Sequence, residues 1–587
     1  MLSQIIVQWR LWFVVAFLFC ASVLLGARLL QLQVMQKDFL NEQGDARTVR
    51  YEDIRAHRGM ITDRNGEPLA VSTAVETVWM NPKLYWKKLK AAADENPENY
   101  QLIRLATQKL AQALDVSEQS LLTRLRENET KGFIYLKRKL QPAIAQQVKD
   151  LKVPGVFNRR EYMRYYPAGE VATHVLGFVN IDEKGQEGVE LAYDEWLQGT
   201  PGQKKVLKDG SDNIIKDLAL VREAEPGKNL KLTLDMRLQY LAYRELKAVV
   251  TAHQAKAGSV VMLDAKTGDI LAMVNQPSYN PNNRKNINTA SLRNRAVTDL
   301  FEPGSTMKPL TVAAALETGR YSPGTSINTS PGYLRIGRKN IRDHHDYGVI
   351  DVSSIVAKSS NVGTSKIALD ITGDALWDMY YRLGFGQMVG IGFPGEGVGV
   401  LPHPVKWKPL QVATMSYGYG LNLTALQLAQ SYQVLANDGI KKQAALVLRD
   451  TIPEGDFIMP AHVARDVRTM LGKVVAKGGT GTRAQVEAYD VGGKTGTVHS
   501  VGASGYEDSS YKALFAGIAP VENPAVVMVV VIVGPSGDEY YGGEVAAPVF
   551  SRVISGTMRL LNVKPDHMPA MAESEKRLQE ILDNHKS

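Results

Sequence analysis

The chain has 587 residues, 44% hydrophobic and 22% charged, so it is long enough for two or more globular units of ordinary composition. Its formal charge of +8 favours an anionic surface such as a membrane or cell wall, but no block of five or more Lys or Arg indicates a nucleic-acid-binding arm. The one cysteine, Cys20, lies in an apolar N-terminal stretch, which excludes an intrachain disulfide.

The first predicted element is a membrane anchor. Residues Leu11 to Ala27 carry no charge, and with Leu29 and Leu30 the apolar stretch approaches the roughly 20 residues that a spanning helix needs. A cleaved signal peptide is the alternative, but the stretch is long for one and lacks a small-x-small cleavage site. We therefore expect an uncleaved single-pass anchor, whose few flanking charges specify its orientation only weakly.

Between the anchor and residue 226 we find no catalytic cluster, which favours a pedestal or interaction module. The segment Arg58 to Ala70 predicts a strand, a tight Asn-Gly turn and a second strand. His174 lies among apolar neighbours in a second conspicuous segment, Arg164 to Glu190. We interpret it as a packed structural residue because a lone histidine in such surroundings is seldom a ligand.

Beyond residue 227 the composition shifts to that of an α+β domain. Asp235 is placed to cap an amphipathic helix. Ser259 to Leu263 and Ile270 to Val274 predict a hairpin at the centre of a sheet, and Ala513 to Ile518 and Val526 to Val533 form a second apolar pair far downstream. Strands at both ends and a largely helical middle predict an antiparallel sheet assembled from distant segments. The last 20 or so residues are charged, which indicates a solvated helix or tail.

Ser305 and Lys308 form the first cluster with catalytic chemistry. Pro303-Gly304 predicts a turn that puts Ser305 at the N-terminus of a buried helix, where backbone amides favour developing negative charge. Lys308 lies three residues later on the same face, and burial and neighbouring cations would depress its pKa enough for it to take the serine proton. Ser-x-x-Lys alone is a weak pattern that usually means an exposed lysine, but the turn and the apolar helix strengthen it.

A second cluster, Lys358-Ser-Ser-Asn-Val-Gly363, follows about fifty residues later. Ser359 can relay a proton between Lys308 and a leaving amine, and Asn361 can hydrogen-bond a substrate amide. Taken alone, the segment is more typical of a helix N-cap rich in Ser and Asn.

The third cluster is Gly492-Gly-Lys-Thr-Gly-Thr497. Small residues let a strand approach a ligand edge-on, while Lys494 and the threonines can bind a carboxylate and a backbone amide can complete an oxyanion hole. A phosphate-binding loop is excluded because that motif needs a glycine five residues before Gly493, where the chain has Ala488.

The three patterns occur in the order Ser-x-x-Lys, Ser-x-Asn, Lys-Thr-Gly, and together they resemble the motif set of the penicillin-binding proteins. The resemblance to the class B transpeptidases of cell division covers nearly the whole chain, including Ser416-Tyr-Gly-Tyr-Gly420, Tyr540-Tyr-Gly-Gly543 and Ala547-Pro-Val-Phe550. Asn361 favours the division branch, because elongation-type relatives commonly carry Asp there. No glycosyltransferase-like region precedes the transpeptidase unit, which argues against a class A bifunctional enzyme.

The resemblance implies D,D-transpeptidation of peptidoglycan stem peptides during septum formation. The implied nucleophile attacks the carbonyl between two terminal D-alanines, and the resulting acyl-enzyme passes its acyl group to an amine of a neighbouring strand. Amides of Ser305 and Thr497 would form the oxyanion hole, and β-lactams would acylate Ser305 by mimicking the donor. The implied catalytic residues are Ser305, Lys308, Ser359, Asn361 and Lys494, and the implied substrate-binding residues are Thr495, Gly496, Thr497, Tyr417 and Tyr540.

The fold that the resemblance implies is α+β: an N-terminal transmembrane helix, an elongated pedestal, and a serine β-lactamase-like transpeptidase domain whose central antiparallel sheet is flanked by helices. We predict boundaries at 1–34 for the tip and anchor, 35–226 for the pedestal, 227–565 for the transpeptidase domain and 566–587 for the charged tail. The implied location is the cytoplasmic (inner) membrane, with the catalytic domain in the periplasm.

The expected partners are stem peptides, β-lactams, and a membrane glycan polymerase and other division proteins bound through anchor and pedestal. We expect no nucleic acid, cofactor or metal.

Three alternatives remain at this stage. A β-lactamase would share the motif trio, but no Glu-x-x-Leu-Asn run of the class A type is present, and a large pedestal would be unusual for one. A non-catalytic scaffold or antibiotic sensor would be expected to lose part of the trio, which is complete here. Asp343-His-His-Asp346 suggests a metal site, but its spacing fits no common one and a polar loop is the better interpretation.

Overall fold

The computed structural model describes residues 2–208, 214–285, 287–502, 505–567 and 582–583. The chain forms two compact units, each assembled from several segments. The first unit comprises Met1–Arg58, Ser72–Met163 and Gln198–Gly227, and the second comprises Gly59–Val71, Arg164–Leu197 and Lys228–Ser587. Most of the predicted tail, 566–587, lies outside the described residues.

The elements of the N-terminal part of the chain combine short strands with helices of very different length. The strands are β1 (Val49–Ile54), β2 (Ile61–Thr62), β3 (Pro68–Met80), β4 (Ile134–Leu140), β5 (Val156–Tyr165), β6 (Gly202–Lys208) and β7 (Ile214–Arg222). The α-helices are α1 (Leu2–Leu30), α2 (Lys37–Thr48), α3 (Pro82–Glu95), α4 (Pro97–Ala113), α5 (Glu118–Glu127), α6 (Pro142–Asp150), α7 (Thr173–Leu176), α8 (Gly188–Ala192) and α9 (Asp194–Leu197).

The remaining elements begin at residue 230. The strands are β8 (Leu230–Lys231), β9 (Ala257–Asp264), β10 (Ile270–Gln276), β11 (Ser326–Asn328), β12 (Tyr333–Ile336), β13 (Lys339–Arg342), β14 (Val349–Asp351), β15 (Ile440–Lys441), β16 (Asp456–Phe457), β17 (Gly492–Gly502), β18 (Gly505–Ala519) and β19 (Val526–Val533). The α-helices are α10 (Met236–Ala252), α11 (Arg295–Thr298), α12 (Lys308–Glu317), α13 (Val352–Lys358), α14 (Asn361–Ile371), α15 (Gly373–Arg382), α16 (Pro409–Ser416), α17 (Ala425–Ala436), α18 (Ala461–Val475) and α19 (Gly542–Leu560).

Helix α1 carries the predicted anchor. The stretch Trp9–Met35, which continues from α1 through a π-helical turn, is long and apolar enough to cross a membrane. Its large apolar side chains, such as Phe13 and Leu24, are exposed. A helix that is apolar all round, and whose apolar side chains no other described residue buries, is suited to a lipid environment.

The first unit contains an antiparallel sheet in the order β1-β6-β7 and a small separate core. In that core, the C-terminal part of β3 pairs with β4, and Val78 and Met80 of β3 are fully buried together with Tyr85 of α3 and Leu110 of α4. Asn81 and Asn96 cap α3 and α4 by accepting backbone N–H groups, which explains why two helices begin directly after asparagine.

Several sequence predictions in the second unit are confirmed. Asp63 accepts the N–H groups of Asn65 and Glu67, closing the predicted turn between β2 and β3. Asp235 is the N-cap of α10. His174 is 6% exposed, and its Nε2 lies 2.9 Å from the carbonyl oxygen of Ser291, as fits a packed structural residue.

The central sheet of the second unit is antiparallel throughout, with strand order β10-β9-β19-β18-β17. Alternate residues face opposite sides, and both sides are buried. Val260 and Phe515 belong to a cluster with α10 and α19, whereas Val261 and Leu514 belong to a cluster with α12, α17 and α18. The sheet is therefore flanked by helices, as predicted.

One detail of the prediction is wrong. The β9–β10 hairpin forms, but β10 lies at the edge of the sheet and β19 at its centre. The run Ile270–Val274 is continuously apolar because helices cover both of its faces, and that burial makes an edge strand resemble a central one. The other edge strand is β17, which carries the third motif.

Candidate active site

Ser305 lies in a 3₁₀ turn, Gly304–Met307, that leads directly into α12. In a 3₁₀ turn the side chains three residues apart are eclipsed, so Ser305 and Lys308 point to the same side. Ser305 is partly exposed, whereas Lys308 is completely buried. The predicted helix N-terminus is confirmed, with the tighter turn at its start.

The residues before Ser305 are held by the Ser416–Gly420 loop, which follows α16. The N–H of Gly304 donates to the Gly418 carbonyl at 3.1 Å, and the N–H of Gly420 donates to Oε1 of Glu302 at 2.8 Å. Gly418 has φ +88°, and a Cβ on it would lie 2.1 Å from the Gly304 carbonyl oxygen. Only glycine fits this close approach, which brings the neighbouring Tyr417 beside the turn.

Lys308 reaches from α12 to the second motif. Its Nζ donates to the carbonyl oxygen of Ser359 at 2.5 Å and to its Oγ at 3.0 Å. Burial, helped by the positive charge of nearby Lys494, holds the pKa of Lys308 well below its usual range, and the Asp343 carboxylate opposes this only in part. A neutral lysine amine that is hydrogen-bonded to a serine hydroxyl is able to accept a proton.

Ser359 occupies a break between two helices. It follows α13 with φ 59° and ψ 41°, the left-handed region, and Ser360 then caps α14 by accepting the N–H of Gly363. A non-glycine residue in this region costs conformational energy that its surroundings must supply. The break turns Ser359 toward Lys308 and starts a new helix at Asn361.

Asp343 is a functional residue that sequence reasoning missed. Its carboxylate accepts hydrogen bonds from Ser360 Oγ and the Asn361 N–H, both at 2.5 Å, and from the Val362 N–H at 3.0 Å. The sequence pattern predicts only a polar loop at Asp343. One sequence feature could have indicated this role. Asp343 lies seventeen positions before Ser360, and an acidic side chain can accept the backbone N–H groups that are unpaired at the start of a helix.

Asn361 is bonded on its other side to the strand that ends at Arg342. Its Nδ2 donates to the Arg342 carbonyl at 3.0 Å. Its Oδ1 accepts no hydrogen bond from any residue in the part of the chain that the structure describes. That oxygen is free for the amide N–H of a bound peptide, the role predicted for this residue.

Lys494 and the third motif lie on β17. Lys494 is completely buried, and burial lowers its pKa to about 7. Its Nζ donates to the carbonyl oxygen and Oγ1 of Thr495 at 3.2 and 3.3 Å. Gly496 faces the nucleophile turn so closely that a Cβ on it would lie 3.1 Å from the Pro303 carbonyl oxygen.

The two threonines of β17 face the other way and are engaged with neighbouring loops. The Oγ1 atoms of Thr495 and Thr480 lie 3.0 Å apart, and Thr497 Oγ1 accepts the N–H of Gly542 at the start of α19. As an edge strand, β17 has a backbone side with no strand partner among the described residues. A peptide ligand can therefore pair with it.

Tyr540 belongs to a group of stacked aromatic rings. Its ring stacks at 4.5 Å on Tyr511 of β18 and at 4.5 Å on Tyr541, and Tyr511 packs in turn on His499 of β17. This aromatic ladder extends the edge of β17 beyond the threonines. Tyr417 precedes Gly418, which contacts the nucleophile turn, and burial raises the pKa of Tyr417 to about 12.

Direct contacts therefore join Lys308 to Ser359 and bring the turn of Ser305 against β17, while Lys494 is close enough to affect the pKa of Lys308. An amine with a low pKa, a hydroxyl nucleophile and a cation at a strand edge converge on one region. Together they are suited to transferring an acyl group from a substrate that carries a carboxylate.

Comparisons with known proteins agree with this chemistry. Residues 258–555 match the family described as the penicillin binding protein transpeptidase domain, and residues 53–232 match the penicillin-binding protein dimerisation domain. The chain is 40% identical to the probable peptidoglycan D,D-transpeptidase PbpC of Pseudomonas aeruginosa, over 96% of this chain and 98% of that protein. It is 39% identical to the peptidoglycan D,D-transpeptidase FtsI of Escherichia coli, over 95% and 93%.

Among solved structures, penicillin binding protein 3 of Mycobacterium tuberculosis in complex with aztreonam is similar, with a TM-score of 0.67 and 26% identity. The similarity covers 89% of this chain and all of that one.

Proposed function

The chain belongs to the class B penicillin-binding proteins, and we propose that it is the septal D,D-transpeptidase of its cell, cross-linking peptidoglycan stem peptides through an acyl-enzyme on Ser305. The observation that carries the proposal is the buried amine of Lys308, one turn after Ser305 and bonded to Ser359. β-Lactams acylate the same serine.

In the first half-reaction Ser305 Oγ attacks the carbonyl carbon between the two terminal D-alanines. Its proton passes to neutral Lys308, and the backbone amides of Ser305 and Thr497 stabilise the oxyanion of the tetrahedral intermediate. Collapse of the intermediate breaks the peptide bond, and the leaving amine takes the proton through Ser359. The terminal carboxylate accepts hydrogen bonds from the hydroxyls of Thr495 and Thr497, while protonated Lys494, whose Nζ reaches Thr495 Oγ1, supplies the compensating positive charge.

In the second half-reaction an amine of a neighbouring strand attacks the ester carbonyl. It loses a proton to the Ser359–Lys308 relay, and Ser305 is released with its proton restored. Asn361 Oδ1 accepts a donor-peptide amide, while Gly496 lets β17 lie against the nucleophile turn, so that a peptide bound along β17 lies beside Ser305. Tyr417 and Tyr540 border the bound peptide on opposite sides.

We assign residues 1–34 to a cytoplasmic tip and a single-pass anchor in the inner membrane, with the catalytic unit in the periplasm. Along the sequence we assign residues 35–226 to the pedestal, 227–565 to the transpeptidase domain and 566–587 to a charged tail, with the segments 59–71 and 164–197 packing in the second unit. A membrane glycan polymerase and other division proteins bind the anchor and pedestal. The apolar surface of α1 supports the anchor assignment.

Labelling with a fluorescent penicillin tests the nucleophile. We expect covalent labelling of the wild-type chain, none of Ser305→Ala, and normal labelling of Ser536→Ala, whose hydroxyl bonds to His253 and Gln254 carbonyls away from the motif residues. Mass spectrometry of the adduct should locate the label on the peptide that contains Ser305. Labelling that persists in Ser305→Ala would remove this serine from its role.

A thioester analogue of the donor distinguishes a transferase from a hydrolase. Added amines should accelerate turnover of the acyl-enzyme and appear in the product. Turnover by water alone, with no aminolysis product, would contradict the proposed transfer.

A further inference from the structure

The strands β12 and β13 form a short hairpin, residues 333–342, that carries an unusual concentration of positive charge. We call it the cationic hairpin. Arg335, Arg338, Lys339 and Arg342 are all exposed, and the ten residues include no Asp or Glu. None of these four side chains has an ion-pair partner among the described residues.

The pairing register of β12 and β13 decides on which face of the hairpin each side chain lies. Tyr333 pairs with Arg342, and Arg335 pairs with Asn340, so these residues share one face of the hairpin. Ile341 points the other way and is buried. Arg338 lies in the two-residue turn at the tip. The hairpin is therefore fixed by its apolar side and presents its arginines outward.

Several exposed arginines elsewhere in the second unit have acidic partners, although Arg284 and Arg559 have none in the part of the chain that the structure describes. Arg320 pairs with Asp370 at 3.1 Å, and Arg483 pairs with Glu539 at 2.9 Å, although about half of each arginine side chain is exposed. The cationic hairpin differs because four cations lie within ten residues that contain no acidic residue, and none of them has an ion-pair partner among the described residues. Such a concentration of one sign of charge attracts an anionic ligand.

The hairpin is bonded directly to the catalytic cluster. The carbonyl of Arg342, its last residue, accepts from Asn361 Nδ2, and the next residue, Asp343, holds Ser360 and the N–H of Asn361. An anion bound by the hairpin is therefore positioned by a segment that is hydrogen-bonded to the two residues after Ser359. Hydrogen bonds thus connect the cationic hairpin to the segment that carries the proton relay of Ser359 and Lys308.

We propose that the cationic hairpin binds the carboxylates of the acceptor peptide, the strand whose amine resolves the acyl-enzyme. This inference rests on the proposed function. The incoming amine must give its proton to the relay that protonated the leaving amine, and it therefore approaches Ser359, to which the hairpin is tied. Arginine forks pair with carboxylates in two parallel hydrogen bonds, and their field raises the local concentration of an anionic acceptor.

The test uses the full-length protein in detergent, a thioester donor and two acceptors. Both acceptors are an acetylated alanyl-γ-D-glutamyl-lysine tripeptide whose lysine amine is the nucleophile. One has free carboxylates, and in the other both carboxylates are amidated. The variant is Arg338→Glu with Lys339→Glu. Its matched control is Lys266→Glu with Lys564→Glu, which changes the net charge equally at exposed lysines outside the hairpin.

We expect the wild type and the control to prefer the acceptor with free carboxylates. In the hairpin variant the acceptor KM for that peptide should rise about tenfold at low salt, while the amidated peptide is almost unaffected. The preference of the wild type should also weaken as salt is raised. Acylation by penicillin should be unchanged in all of these proteins, because Ser305 and Lys308 are intact.

Two results would overturn the proposal: equal use of both acceptors by the wild type, or an equal loss for both acceptors in the hairpin variant with penicillin acylation intact. Failure of the wild type to be acylated at all would instead contradict the proposed function.

Discussion

Lys308 and Lys494 lie in the interior of the second unit, whereas the four cations of the cationic hairpin lie on its surface. Neither group forms an ion pair among the described residues. Burial lowers the pKa of both lysines, so that one is suited to carry a proton back and forth. Cations in water keep their full charge and are suited only to attracting anions. Solvent access, more than residue type, therefore decides whether a cation serves acid–base chemistry or recognition.

Replacing Lys308 with a residue that always carries a positive charge should have the greatest effect on acylation. Lys308→Arg keeps a cation at the end of α12 but removes the group that can be neutral, because a guanidinium does not lose its proton. We expect the second-order rate constant for penicillin acylation to fall about 10³-fold or more. Stopped-flow or quenched labelling, with thermal unfolding to check that the fold is intact, measures the effect. A near-normal rate in folded Lys308→Arg would show that Lys308 is not the base.

The pH dependence of acylation should distinguish the roles of Lys308 and Lys494. Acylation needs Lys308 neutral, so the rate falls as pH drops through its lowered pKa, and it needs Lys494 protonated, so the rate falls as pH rises above about 7. We expect a bell-shaped profile of kcat/KM with a carboxylate-bearing substrate.

Lys494→Arg should lower the maximum about tenfold and move the alkaline limb far upward, since arginine stays protonated, while leaving the acid limb in place. An alkaline limb that stays near pH 7 in this variant would assign it to another group.

A smaller effect is expected at Asp343, which joins the interior cluster to the surface hairpin. Asp343→Asn weakens the bonds to Ser360 and to the N–H of Asn361, and we expect the free energy of unfolding to fall by about 1–2 kcal/mol. Because the carboxylate partly raises the pKa of Lys308, its loss should move the acid limb of the acylation profile to lower pH. Calorimetry and the pH profile check the two parts, and an unmoved acid limb would contradict this electrostatic link.

Sequence patterns predicted secondary structure best where residues adjacent in the chain, such as a turn dipeptide, a helix cap or an apolar run, decide it. The turn at Asn65-Gly66, the cap at Asp235 and the strands β9, β18 and β19 formed as predicted. The position of β10 within the sheet was wrong because an edge strand covered by helices has the same composition as a central one. Asp343 was missed because its partners are distant in the sequence and no local pattern connects them.

Features that depend on neighbours along the chain could be predicted from the sequence alone. The spacing of Ser305 and Lys308 puts both side chains on one side of a single turn, and the order of the three motifs indicated the family. Only the tertiary structure decided how the motifs meet: Lys308 bonds to a serine 51 residues away, and Lys494 comes from the opposite end of the domain. The physical reason is that a low pKa requires the removal of water, and in this unit several distant segments packed together remove it.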